Sequence, residues 1–127
     1  MPDSKIMGKT ISDLVRSLDI TRKRQGLISG NLANIETPDY HTQDIDFRQS
    51  LEQAMKGGQK RLSQTHARHF NVMEGSNPEI KTSDKAGVDI DKEMANLAEN
   101  NLMYRSGVES LLRKFALIKY AISEGGK

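Results

Sequence analysis

Residues 89–122 read DIDKEMANLAENNLMYRSGVESLLRKFALIKYAI, and this stretch decides the fold. Apolar residues recur there at alternating steps of four and three, and nine of the ten positions in the series are apolar. Such spacing is the seam of a coiled coil and predicts one long helix. The series runs through Ile90, Met94, Leu97, Asn101, Tyr104, Val108, Leu111, Phe115, Ile118 and Ile122.

Both ends of this predicted helix carry boundary signals. Asp89 can cap the N-terminus, and Asp91 and Glu93 suit the positive end of the helix dipole. Gly125 and Gly126 end the helix, because glycine readily adopts the backbone conformation found just past a helix. At about 1.5 Å per residue the helix would be roughly 50 Å long, several times the length of an average helix.

A second seam lies near the N-terminus. From about Thr10 to Ile35 the steps alternate between three and four, and six of eight positions are apolar. Thr10 or Ser12 can cap the start, and Thr37 is driven out of helical geometry by Pro38. The apolar positions are Ile11, Leu14, Leu18, Ile28, Leu32 and Ile35.

Three seam positions are polar, namely Thr21, Gln25 and Asn101. A buried polar side chain at such a position weakens a coiled coil but fixes its register. Alternatively, these residues are tolerated because they lie near solvent. The sequence leaves both interpretations open.

The residues between the two seams are polar and weakly patterned. Phe47 to Met55 has helical spacing and predicts a short helix that ends at Gly57 and Gly58. Short strands are expected around residues 70–73 and 79–81. The predicted fold is therefore mainly α, an antiparallel coiled-coil-like pair of long terminal helices with an irregular middle segment. The predicted parts of this one structural unit are an N-terminal helix (1–37), a middle segment (38–87) and a C-terminal helix (88–127).

Both long helices carry more apolar residues than one partner helix can cover. The off-seam residues are Val15, Ile20, Leu27, Ala95, Ala98, Leu102, Leu112, Ala116 and Leu117. Gly26, Gly30 and Gly107 lie inside the helices, where each costs about 1 kcal/mol relative to alanine but permits close approach of another backbone. We expect copies of the chain to cover the remaining apolar surface, and the isolated chain to have little net stability.

Composition excludes several classes of protein. The 127 residues suggest one domain. Lys and Arg number 19 against 17 Asp and Glu, so a net charge of +2 gives no strong attraction to nucleic acid. The absence of cysteine excludes disulfides and thiol chemistry. No run approaches the ~18 apolar residues of a membrane span, and the N-terminus lacks the apolar core of a secretory signal peptide.

Groups that could bind metal or catalyse a reaction are sparse. His66 and His69 form a His-x-x-His pair, and His41 is the only further histidine. No phosphate loop, zinc-protease motif or Ser/His/Asp arrangement accompanies the carboxylates. The basic run at residues 22–24 is expected to be a solvated helix face or to contact acidic neighbours. We therefore expect no enzyme, cofactor or metal; a metal enzyme built on His66 and His69 is an alternative.

Residues 31–40 read NLANIETPDY and resemble the N-terminal signature of bacterial flagellar rod and hook proteins, Asn-x-Ala-Asn-x-x-Thr-Pro-Gly-Tyr. Asp39 stands where the signature has glycine, and aspartate tolerates left-handed backbone better than most residues. The six matching positions are Asn31, Ala33, Asn34, Thr37, Pro38 and Tyr40.

Further motifs resemble the small proximal-rod branch of that family. Residues 44–47 (DIDF) follow the signature at the expected distance, and residues 65–70 (THARHF) resemble a central Thr-His-x-x-His stretch. Residues 88–94 (VDIDKEM) resemble the Val-Asp-Met-Asp-x-Glu run that opens the C-terminal helix, and Asn101 and Tyr104 fit the Asn-x-x-Tyr that follows. Another small rod protein of the same family is an alternative.

The resemblance implies a structural subunit of the flagellar basal-body rod. Such proteins polymerise helically through their terminal helices, form a drive shaft across the periplasm and enclose the export channel. They leave the cytoplasm through the flagellar type III apparatus without a cleavable signal peptide. The implied partners are further copies of the chain, adjoining rod proteins, the adaptor protein FliE and the membrane-ring base, with the seam residues as assembly residues. An alternative from another functional class is a coiled-coil adaptor that recruits an unrelated partner.

Overall fold

The computed structural model describes residues 2–56 and 77–126, which form three helices and two strands. The predicted mainly helical fold is confirmed. In chain order the elements are α1 (Pro2–Ala33), β1 (His41–Ile45), α2 (Phe47–Lys56), β2 (Ile80–Ala86) and α3 (Ile90–Gly125).

The helix α1 is longer than its seam predicted. It begins at Pro2, about two turns before the expected start, because proline suits the first position of a helix. The predicted caps at Thr10 and Ser12 are therefore wrong, since the helix runs through both residues. The end of α1 at Ala33 precedes the expected break before Pro38 by about one turn.

The boundaries of α3 follow the sequence signals. The side chain of Asp89 accepts a hydrogen bond from the backbone N–H of Lys92 at 3.2 Å, so the predicted cap is confirmed. Asp91 and Glu93 occupy the first turn, and Gly126 forms the C-terminal cap. The local chemistry of these residues was sufficient to set both ends.

The two long helices pack against each other in antiparallel directions. Asn31, near the end of α1, contacts Glu93 near the start of α3. Further along α3, Gly107 lies against Leu18, which is closer to the start of α1. The antiparallel pair predicted from the two seams is thus present in a single chain.

Two short strands pair beside the helices. β1 and β2 are antiparallel, with Gln43 opposite Thr82 and Ile45 opposite Ile80. β2 includes most of the strand predicted at residues 79–81, whereas β1 was not predicted at all. The other predicted strand, at residues 70–73, lies outside the described residues.

The short helix α2 matches its prediction and starts at Phe47. Asp46 caps it by accepting a hydrogen bond from the Gln49 backbone N–H at 3.0 Å. That hydrogen bond, with the nearby Lys81 ammonium, lowers the pKa of the Asp46 carboxyl. The predicted stop at Gly57 and Gly58 lies outside the described residues.

A small apolar cluster fixes α2 and β1 against α1. Its buried members are Ile20, Ile45 and Ala54, and the partly buried Leu27, Phe47 and Leu51 surround them. Ile20 and Leu27 lie off the α1 seam, and we expected another copy to cover them. That expectation is wrong for these two residues, because α2 and β1 of the same chain cover them.

Gly26, Gly30 and Gly107, the three glycines that the sequence placed inside the helices, differ in their surroundings. A Cβ placed on Gly107 would lie 2.9 Å from Leu18 Cδ2, so this glycine permits the close approach of α1 and α3. A Cβ on Gly26 or Gly30 would meet no atom within 4 Å. Close approach within the chain therefore explains Gly107 but not Gly26 or Gly30.

This difference predicts opposite effects of substitution. Gly26→Ala and Gly30→Ala should each raise the free energy of unfolding by about 1 kcal/mol, because alanine is the better helix former and its Cβ meets nothing. Gly107→Leu should lower it by about 1–3 kcal/mol, because the larger side chain pushes α1 away from α3. Urea unfolding followed by circular dichroism measures all three; equal stability of Gly107→Leu and Gly26→Ala would contradict the close approach.

Candidate assembly site

The side chain of Asn31 is the most highly connected polar group between the elements. It is 1% exposed. Its Nδ2 donates to the Gln43 carbonyl at 2.8 Å and to Glu93 Oε2 at 3.1 Å. Its Oδ1 accepts from the Gln43 backbone N–H at 3.0 Å and from the Tyr40 hydroxyl at 3.1 Å. All donors and both acceptor positions of the amide are therefore used.

We name Asn31, Tyr40, Gln43 and Glu93 the Asn31 junction. The Asn31 amide bonds both backbone groups of Gln43, as a neighbouring strand would, and it closes the edge of β1 that faces away from β2. The same amide also reaches α3 through Glu93, which is 3% exposed. One side chain of α1 thus joins a strand and the other long helix.

The remaining signature residues build the turn that returns the chain to Asn31. Asn34 Nδ2 donates to the Gly30 carbonyl at 2.8 Å, and the same carbonyl accepts from the Asn34 backbone N–H at 3.1 Å, so Asn34 closes the end of α1 through two bonds to one acceptor. The Thr37 hydroxyl donates to Asn34 Oδ1 at 3.1 Å. Asp39 has a φ of 55°, the left-handed conformation for which the signature provides glycine. Its expected tolerance of that conformation is confirmed.

The other two signature positions make no such bond. Ala33 and Pro38 are exposed at the surface of the single chain. Ala33 is the last residue of α1, and Pro38 precedes the left-handed Asp39. The signature therefore combines a buried half, centred on Asn31, with an exposed half.

Arg24 ties the same three elements together one heptad before Asn31. Its Nε and Nη2 donate to the two carboxylate oxygens of Asp44 at 2.8 and 3.2 Å, and Nη1 donates to Glu99 at 3.0 Å. The bond to Asp44 raises the pKa of the guanidinium most, and burial opposes it. Arg22 and Lys23 are exposed. The expected contact with acidic neighbours thus holds for Arg24, and the solvated face for the other two.

Asn100 lies at the centre of the α1–α3 interface and is 1% exposed. Its Nδ2 donates to the Thr21 carbonyl and to Gln25 Oε1, each at 2.9 Å. Its Oδ1 has no hydrogen-bond partner among the described residues. Sequence spacing had placed Asn101 on the seam, but Asn101 is exposed.

The α3 face that contacts α1 differs from the predicted seam. Glu93, Asn100 and Gly107 point toward α1, and each lies one residue before a predicted seam position, a rotation of about 100°. Tyr104, one of the predicted seam residues, is 47% exposed in the single chain. Apolar spacing could not reveal this rotation, because the polar residues that pair across the interface do not contribute to an apolar pattern.

The predicted assembly residues of α3 fall into two groups in the single chain. Leu97, Val108, Leu111 and Ile118 are half-buried at the edge of the α1 contact. The remaining residues are 47–72% exposed; they are Ile90, Met94, Tyr104, Phe115 and Ile122. Their role in assembly stays a prediction.

The α1 seam faces inward along most of its length. Ile28 is fully buried, and Ile35 lies beyond the end of the helix and is 37% exposed. The half-buried members are Ile11, Leu14, Leu18 and Leu32. α1 therefore presents its seam to α3, whereas α3 presents much of its own seam to the outside.

The last four turns of α3 are apolar on several sides. Five side chains there are at least 50% exposed; they are Leu112, Phe115, Leu117, Tyr120 and Ile122. We name them the apolar end of α3. A helix that is apolar all round is normally enclosed by other protein, and α1 covers only one side of this helix.

Metal binding finds no support in the described part of the chain. Residues 2–56 and 77–126 hold no group of three His, Asp or Glu side chains arranged to bind a metal ion. His41 Nδ1 lies 2.8 Å from the Ser83 carbonyl. His66, His69 and the motif at residues 65–70 lie outside the described residues. No helix within those residues is long and apolar enough to cross a membrane.

Comparison with known proteins agrees with the resemblance seen in the sequence. No family model matches the chain. The flagellar basal body rod protein FlgB of Bacillus subtilis (strain 168) is 32% identical over 126 residues, which cover 93% of this chain and 95% of that protein. FlgB of Yersinia ruckeri is 31% identical over 109 residues, covering 75% and 80%. FlgB of Salmonella typhimurium (strain LT2) is 29% identical over 109 residues, covering 75% and 79%.

The fold and these relatives define a structural protein of the bacterial flagellum, in the rod of the basal body. The chain belongs to the FlgB family of flagellar basal body rod proteins. The resemblance drawn from residues 31–40 and from the proximal-rod motifs is confirmed.

Four residues of the site escaped sequence reasoning in their actual roles. Gln43 acts through its backbone, which no side-chain pattern reports. Glu93 was interpreted only as a dipole partner, Arg24 was expected to contact acidic neighbours without Asp44 or Glu99 being identified, and Asn100 was not interpreted at all. The one available signal was spacing, since Arg24 and Asn31 are seven residues apart, on one face of a predicted helix.

The Asn31 junction predicts a severe effect of a nearly isosteric change. Asn31→Asp removes the donors to the Gln43 carbonyl and Glu93 and places two carboxyl groups together. It should lower the free energy of unfolding by about 3 kcal/mol or more, since buried polar groups lose their partners. The matched Asn101→Asp change, on the exposed surface, should stay within about 0.5 kcal/mol of the parent. Equal urea midpoints for the two variants would show that the junction contributes little.

Proposed function

We propose that the chain is a subunit of the proximal rod that polymerises helically through its terminal helices. In this proposal, residues 1–37 and 88–127 form the rod core, and residues 38–87 form the middle segment of the same structural unit. The rod so formed transmits torque across the periplasm and encloses the export channel. The apolar end of α3 carries the proposal.

The apolar end of α3 supports contacts with more than one neighbour. Leu112 and Leu117 lie on different sides of the helix, because five residues correspond to about 500° of rotation. A single additional helix could not cover both. An assembly that surrounds α3 with helices from several copies would cover them.

The outward surfaces of α1 and α3 differ from each other, and this difference also favours an open polymer. The outward surface of α1 is small and polar around Gly26, Gly30 and Ser29, whereas the outward surface of α3 bears large apolar side chains. Contacts between unlike surfaces of identical subunits are heterologous, and they build open helical filaments unless the rotation closes a ring. A closed twofold dimer would instead need a self-complementary surface.

Export and neighbouring proteins complete the proposal. The family resemblance supports export through the flagellar type III apparatus without a cleavable signal peptide. It also supports contacts with adjoining rod proteins, with FliE and with the membrane-ring base. In the single chain, the exposed Ala33 and Pro38 remain available for such contacts.

Charge placed on the apolar end tests the proposal. The double variant Leu112→Glu with Tyr120→Glu should fold as the parent does, because both side chains are exposed, at 62% and 65%. It should fail to build a rod, because buried carboxylates at the subunit contacts are costly. In a strain that lacks the native gene, we expect no swimming and basal bodies without a rod in electron micrographs.

The control carries the same charge change on the same helix. Ser106→Glu with Ser110→Glu alters two exposed polar positions and should retain swimming. Rods and swimming in the Leu112/Tyr120 variant would contradict assembly through this surface. Light scattering that shows a small defined oligomer, unaffected by the Leu112/Tyr120 changes, would favour a coiled-coil adaptor instead.

A further inference from the structure

The centre of the α1–α3 interface is polar. Among the apolar residues of the two predicted seams, only Ile28 is fully buried in the described part of the chain. Arg24, Asn31, Glu93 and Asn100 are each no more than 6% exposed. Apolar contact therefore does little to align the two helices in this region.

The half-buried apolar residues Leu97, Leu111 and Ile118 of α3 lie whole heptads apart, as do Ile11 and Leu18 of α1, which makes the register of the two helices ambiguous. Sliding α3 by one heptad, about 10.5 Å, again places apolar residues opposite apolar residues. Two long helices of 32 and 36 residues lose only a small fraction of their overlap in such a slide. Another feature must therefore distinguish the native register from its neighbours.

Asn100 discriminates against slippage through its bond to the Gln25 side chain. In the native register its two N–H groups bond the Thr21 backbone carbonyl and Gln25 Oε1; a backbone carbonyl is present in every register, but the Gln25 oxygen is not. One heptad toward the start of α1, the corresponding residues are Leu14 and Leu18. One heptad toward its end, they are Ile28 and Leu32. Either slide would remove the Gln25 acceptor from Asn100, and the slide toward the start of α1 would leave its amide among apolar side chains.

The carboxylates of Glu93 and Glu99 distinguish the native register from the slipped ones less well than Asn100 does. A slide in one direction brings Glu93 opposite Arg24, and a slide in the other brings Glu99 opposite Asn31. Each encounter offers the carboxylate a new donor, so these residues tolerate at least one alternative register. The slide toward the end of α1 would also bring Asn100 to the place of Glu93 opposite Asn31, so Asn100 discriminates most strongly against the slide toward the start of α1.

The Oδ1 of Asn100, which has no hydrogen-bond partner within residues 2–56 and 77–126, argues against a purely stabilising role. A buried acceptor without a donor lowers stability, so an apolar residue would suit this site better if stability alone mattered. Single buried asparagines at coiled-coil seams reduce stability and specify register. Asn100, whose Oδ1 has no partner among the described residues, fits this pattern of lower stability and a specified register.

We propose that Asn100 is a specificity-determining residue that selects the register in which α1 pairs with α3. A slipped pair would also move Glu93 about 10.5 Å from Asn31 and so break the Asn31 junction. This inference rests on contacts within one chain and does not depend on rod assembly.

Cysteine cross-linking in the dilute, purified chain reads the register directly, because the sequence contains no cysteine. Leu18→Cys with Gly107→Cys reports the native register, since these positions are in contact. Leu18→Cys with Lys114→Cys and Leu14→Cys with Tyr104→Cys report a slide by one heptad in either direction, and neither pair adds a side chain at Gly107 opposite an intact Leu18. Disulfides need Cα atoms closer than about 7 Å, so the native register cannot form the slipped pairs.

With Asn100 present, we expect only the native intrachain cross-link. Asn100→Leu should keep the helical circular dichroism signal and increase at least one slipped cross-link by about fivefold or more, because a buried unsatisfied amide then no longer opposes the slide. Asn101→Leu, the matched change at the adjacent exposed asparagine, should leave all yields at parental values.

Three results would overturn the proposal. Slipped cross-links that stay at the parental yield in Asn100→Leu would show that another feature sets the register. Loss of helicity in that variant would make Asn100 a determinant of stability instead. Equal slipped yields in the Asn101→Leu control would show that any added leucine has this effect.

Discussion

The carboxamide of Asn31 imposes the constraint on which the other contacts depend. Backbone N–H and C=O groups need partners, and both backbone groups of Gln43 bond to this side chain. The same amide also bonds Glu93, so one side chain of α1 holds both β1 and α3. The turn from Thr37 to Asp39 returns the chain to Asn31, where the Tyr40 hydroxyl and Gln43 bond its side chain.

Polar groups inside and apolar groups outside make the subunit unusual for a small protein. The α1–α3 interface contains Arg24, Asn31, Glu93 and Asn100, whereas the apolar end of α3 is exposed. Hydrogen bonds give direction and register but little net stability, while exposed apolar surface offers stability only when another molecule covers it. The arrangement suits a member of the FlgB family, whose subunits belong to a larger structure.

Local signals in the sequence predicted much of the fold, and long-range pairing accounts for what they missed. Asp89 caps α3 by bonding Lys92, only three positions away. The spacing of apolar residues from Phe47 predicted α2. In both cases residues close in sequence were enough to predict the element. β1 forms only because β2 lies beside it, far along the chain. Asn100 and Asn101 have the same chemistry, and only the tertiary fold decides which is buried. The signature residues were predicted from resemblance, but their hydrogen bonds were not.

Hydrogen exchange at the backbone amide of Gln43 tests the central claim most directly. If Asn31 joins β1 to both long helices, this amide should exchange as slowly as the amides of α3 around Glu93, because all would open together. An amide that exchanges at the rate of a free strand edge, while the α3 amides stay protected, would contradict the account.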